Sequence, residues 1–72
     1  MDESIIQFIV SRIIDNARDA LNEAKQNKDD VFYAGRKLAY YEMLDTIKNE
    51  LVAREQNLEE FGLDINLEKT FL

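Results

Sequence analysis

Between Val31 and Leu51 the chain reads VFYAGRKLAYYEMLDTIKNEL, with apolar residues on more than one side of a helix. Tyr33, Tyr40, Leu44, Ile47, Leu51 and Leu58 recur in alternating steps of four and three, broken by Lys37 and Arg54. That rhythm is the stripe with which a helix buries one side. Ala34, Leu38 and Tyr41 widen the stripe, while Phe32, Gly35, Ala39 and Met43 lie on another side at the same spacing. A single neighbouring helix covers one stripe, so the second surface calls for a second neighbour. No proline interrupts the run, and its Leu, Ala, Met, Glu and Lys residues favour helix. Gly35 stands out, because a glycine inside a helix costs roughly 1 kcal/mol relative to alanine. With Ala39 it forms a smooth patch suited to close approach of another backbone; the alternative is a frayed first turn, where the cost is small.

Upstream, Asp2, Glu3 and Ser4 read as a helix start, with Ser4 and Gln7 spaced as a capping box. Ile6, Val10, Ile13, Ala17, Ala20 and Ala24 then keep the same rhythm, and Ile5, Phe8 and Ile9 add a second apolar side. The polar run KQNKDD, Lys25 to Asp30, interrupts the pattern, and Asp29 or Asp30 is the expected N-cap of the next helix. A connection this short makes the two helices antiparallel neighbours, pairing positions whose numbers sum to about 57. Ile13 then faces Leu44, Ile6 faces Leu51, Ala17 faces Tyr40 and Ala24 faces Tyr33, so small residues meet large ones.

The expected hairpin occupies residues 1–62, with helix 1 over about 4–26 and helix 2 over about 30–61. Gly62 stands where a left-handed residue ends a helix, flanked by Leu58 and Leu63 as the contact pair of such a cap. Residues 63–72 form a C-terminal arm in which Leu63, Ile65 and Leu67 alternate with polar residues, as in an extended segment. The arm either folds back over the overhanging end of helix 2 or reaches a partner. On the second alternative Leu58, Phe61, Leu63, Ile65, Leu67 and Phe71 are the partner-binding residues.

Seventy-two residues form one small domain, marginal without a staple. The chain has no cysteine for a disulfide and no histidine for the commonest metal sites, which leaves oligomerisation as the staple. Without His or Cys, the few hydroxyls have no evident base, so no enzyme and no cofactor is expected. The acidic EQNLEE segment, Glu55 to Glu60, lacks calcium-loop spacing and reads as a solvated face. Glu42, after Tyr40 and Tyr41, reads as an exposed helix-surface acid, with pairing to Arg36 or Lys37 as the alternative. A net charge of −6 argues against nucleic acid as a partner. The apolar runs are too short to span a membrane, and the acidic start is unlike a secretory signal, so a cytoplasmic protein is expected.

The fold expected is all-α: an antiparallel two-helix hairpin with a short C-terminal tail, self-associating as a homodimeric four-helix bundle or a higher oligomer. Phe32, Gly35, Ala39 and Met43, with Ile5, Phe8 and Ile9, are the expected self-association surface. The stretch FYAGRKLAYYEMLDTIKNEL, residues 32–51, resembles small uncharacterised helical proteins of bacteria and their phages. That resemblance implies a helical fold and no particular activity or site residue. The function expected is a non-enzymatic protein–protein interaction module, such as a small regulator or adaptor. A purely structural self-assembling subunit and an acidic DNA mimic are the alternatives.

Overall fold

The computed structural model describes residues 2–72. Two long helices, α1 (Glu3–Gln26) and α2 (Val31–Ala53), are followed by a single 3-10 turn, Leu58–Phe61, and a short helix α3 (Leu67–Phe71). There is no β-strand among the described residues. α1 and α2 pack side by side as the expected hairpin, and the remainder of the chain folds back onto them. The whole measures 40 × 20 × 15 Å.

α1 starts two residues earlier than a Ser4 capping box would place it. Asp2 is the N-cap: its carboxylate accepts from the Ile5 N–H at 3.1 Å and from the Ser4 hydroxyl at 2.7 Å. A charged acceptor at the positive end of the helix dipole is a better cap than a neutral hydroxyl, so Ser4 serves the cap instead of being it. Both partners hold the Asp2 carboxyl below the usual carboxylate range, the Ser4 hydroxyl first and the Ile5 amide next. At the turn, Asp30 accepts from the Phe32 N–H at 2.9 Å and caps α2, as its position suggests.

α2 stops at Ala53 and does not run on to Phe61. Glu55 takes a left-handed conformation with φ 57°. The Gln56 N–H then donates to the Leu51 carbonyl at 2.9 Å and the Glu55 N–H to the Val52 carbonyl at 3.0 Å. This is a Schellman closure with glutamate at the position glycine usually fills. Asn57 caps the 3-10 turn by accepting from the Glu59 N–H at 3.1 Å. A second closure follows at Gly62, φ 72°, where the Leu63 N–H donates to the Leu58 carbonyl at 3.0 Å and the Gly62 N–H to Glu59 at 3.1 Å. The cap expected at Gly62 is present, but it ends the 3-10 turn and not α2.

Energetics explain the early stop. Left-handed geometry at a non-glycine residue costs about 1–2 kcal/mol. A continuous helix would have overhung in solvent; the bend buries Phe61 and Leu63 instead. Each large apolar side chain removed from water contributes about 1.5–3 kcal/mol, which outweighs the strain.

The arm runs without helix or strand over residues 63–66 and turns helical only at Leu67, where alternation suggested that extension would continue. Asn66 caps α3 by accepting from the Lys69 N–H at 3.0 Å, and the Thr70 hydroxyl donates back to the Asn66 carbonyl at 2.9 Å. Leu67 and Phe71, four apart, fall on one side of that helix, and both are buried. A lone strand would have left its backbone unpaired; one helical turn satisfies it locally. The core is thus built from three sources: Val10, Ile14 and Ala17 of α1, Leu44 of α2, and Phe61, Leu63, Leu67 and Phe71 of the returning chain. No polar or charged residue is buried among the described residues.

Candidate functional site

The returning chain covers one face of the hairpin. Lys48 of α2 donates from its ammonium to the Ile65 carbonyl at 2.6 Å, and the Tyr41 hydroxyl reaches Glu68 at 3.4 Å. Gln7, Ser11, Ile14 and Arg18 of α1 border a hollow with Phe61 and Gly62 on the same side. Tyr41 is partly buried there; that burial, then the carboxylates of Glu68 and Asp45, push its phenol above the ordinary value.

The opposite face is open. By helical spacing Phe32, Ala39 and Met43 lie about half a turn round α2 from Tyr41 and Lys48, and Ile5 and Ile9 lie similarly far round α1 from Ile14 and Arg18. Phe32 is 66% exposed, Phe8 64% and Met43 44%. Ile5, Ile9, Gly35 and Ala39 are exposed as well. A Cβ added to Gly35 would meet nothing within 4 Å, so no part of the same chain approaches it. Every residue of the expected self-association surface therefore remains accessible.

The six residues expected to meet a partner are placed differently. Phe61, Leu63, Leu67 and Phe71 belong to the core, and Leu58 and Ile65 are half-buried against it. Their apolar surface is consumed by the chain's own hairpin; the arm folds back, though not over an overhang of helix 2, since α2 stops at Ala53. Chain reversal at Glu55, a residue with no turn signature, is what brings them there.

The charged groups are organised across the hairpin and along it. Arg36 of α2 pairs with Glu23 of α1, and its guanidinium stands 5.5 Å from the centre of the Tyr40 ring. Arg54 pairs with Glu50 at 2.7 Å on the surface. Glu42 is exposed and in neither pair. Phe32 and Tyr33 meet edge to face, with ring centres 5.2 Å apart. Among the described residues no group of three or more acids could hold a metal ion, and no helix is long and apolar enough to cross a membrane. Sequence reading passed over one further feature, the convergence of Lys25, Lys28, Lys37 and Lys69 at the turn end of the molecule. The hairpin turn brings Lys25, Lys28 and Lys37 together, and the return of α3 adds Lys69 to them.

Comparison of the chain with family models, with curated proteins and with solved structures finds no match.

Proposed function

We propose that this chain is a non-enzymatic interaction module that works as a homo-oligomer, with a second copy covering the open face of the hairpin. The observation that carries the reading is the division of the hairpin's two faces. One has Phe61, Leu63, Leu67 and Phe71 of the returning chain buried against it and leaves its far end, at Val52, exposed, while the other keeps Ile5, Ile9, Phe32 and Met43 in solvent. Exposed apolar surface of this kind on a small domain marks an association site. A two-fold axis would let each chain both give and receive the same contacts.

Light scattering at micromolar concentration tests the reading. The expected mass is at least twice the 8.4 kDa of one chain. The double variant Phe32→Ser, Met43→Ser should lower that mass while leaving the helical circular dichroism intact, since neither side chain belongs to the core. A wild-type protein that is folded and monomeric throughout the micromolar range overturns the proposal.

A further inference from the structure

At the turn end, the last turn of α1, the first turns of α2 and the end of α3 enclose a groove of about 440 Å³. Leu21 and Phe71 contribute apolar lining, and Lys25, Lys28, Lys37 and Lys69 surround it. Four of the nine cations of a chain with net charge −6 thus converge on one hollow. None of these four ammonium groups takes part in the ion pairs or side-chain hydrogen bonds of the described residues, whereas Lys48, Arg36 and Arg54 all do. The neighbouring acids face other work. Asp30 caps α2, Glu68 meets Tyr41, and Asp29 lies with Asp30 along an adjoining hollow outside the turn, which Lys28 also borders.

We propose that this groove binds an acidic peptide segment of a partner protein, pairing its carboxylates with the lysines and seating an apolar side chain over Leu21 and Phe71. Charge complementarity is the argument. Four like charges around one apolar hollow repel one another, and a ligand with several carboxylates relieves that repulsion at every cation. The lysines come from α1, the turn, α2 and α3, so a row of carboxylates matches them better than a single small anion. A nucleic-acid strand, longer than the groove, would run onto the acidic remainder of the surface. The groove involves none of the apolar residues assigned to self-association, so this proposal stands or falls separately from the oligomer.

The test uses the full-length protein and a fluorescently labelled peptide, Glu-Glu-Leu-Leu-Glu-Glu, followed by anisotropy. Comparison probes are a peptide with lysines in place of the glutamates, one with alanines in place of the leucines, and a single-stranded oligonucleotide of equal charge. The acidic leucine peptide should bind, at least tenfold more tightly than the alanine version. Raising the salt from about 0.05 M to about 0.5 M should weaken it, because exposed ion pairs are screened. Lys37→Glu with Lys69→Glu should reduce binding at least tenfold, with unchanged circular dichroism and light scattering. If that pair disturbs the fold, Lys25→Gln with Lys28→Gln, both at exposed positions, should weaken binding in the same direction. No binding at about 1 mM peptide, equal binding of the basic peptide, tighter binding of the oligonucleotide, or indifference of correctly folded lysine variants each overturns the proposal.

Discussion

The ammonium of Lys48 donates to the carbonyl oxygen of Ile65 at 2.6 Å, joining the last third of α2 to a part of the returning chain that is neither helix nor strand. The bond is half-buried, and it satisfies a carbonyl that no helix or strand would otherwise engage. Lys48→Met keeps most of the aliphatic stem and removes only the donor. We expect a loss of about 1 kcal/mol in urea unfolding, the usual net worth of such a bond. Unchanged stability would mean that water replaces the ammonium at no cost.

The same returning chain carries half of the core, so its removal should not be benign. Phe71→Ala empties a site that is 2% exposed and should cost about 3–5 kcal/mol. A domain of this size has little more stability than that to lose. Deleting residues 63–72 should therefore lower helical circular dichroism and broaden the thermal transition. A truncated chain that kept its helicity and a sharp transition would show that the hairpin is self-sufficient and the arm dispensable.

Two left-handed residues close the two successive helical segments, and they predict opposite responses. Glu55 adopts φ 57° with a side chain, so Glu55→Gly should stabilise the protein by about 1 kcal/mol. Gly62 adopts φ 72°, so Gly62→Ala should destabilise it by a similar amount. Space alone would not forbid the alanine, whose Cβ would lie 3.5 Å from Ile14 Cδ1, an ordinary contact. The penalty is expected from the backbone, and chemical denaturation of both variants reads the two signs directly.

Those residues also mark where the fold stops being legible in the sequence. The hairpin could be read because both helices repeat an apolar stripe and the KQNKDD break carries its own caps. The cap at Gly62 could be read because glycine announces a left-handed turn. The cap at Glu55 could not, because glutamate favours helix and only the burial of Phe61 and Leu63 overrides that preference. Once α2 stops at Ala53, the arm lies within reach of the core, and Leu67 and Phe71 pack as a helical pair where alternation had suggested a strand. The lysine groove was hidden for the same reason, since Lys69 joins Lys25, Lys28 and Lys37 only through that return.

Tyr41 makes one contribution to the pH dependence of stability on the alkaline side. Its partial burial, followed by the charges of Glu68 and Asp45, raises the phenol above the ordinary value of about 10. A raised folded value means that the fold prefers the neutral phenol. The associated stability is complete below the unfolded value and is lost as pH rises through the folded one. Tyr41→Phe should remove that component of alkaline destabilisation and abolish the corresponding late step in phenolate absorbance. A wild-type titration with no step above the ordinary tyrosine range would refute it.

Gly35 ties stability to association. Within one chain its surroundings are open, and an exposed helical glycine is less favourable than alanine by roughly 0.5–1 kcal/mol. Gly35→Ala should therefore raise the melting temperature of dilute protein. Gly35→Leu has the better helix former but a side chain that projects from the open face. If a second chain lies over Gly35, that side chain overpacks the contact, and such insertions cost about 1–3 kcal/mol. We expect Gly35→Leu to reduce the mass seen by light scattering and to make the melting temperature less dependent on concentration. If Gly35→Leu instead raises stability equally at all concentrations and leaves the oligomer unchanged, any second copy sits elsewhere on the hairpin, and Gly35 must be removed from the proposed self-association surface.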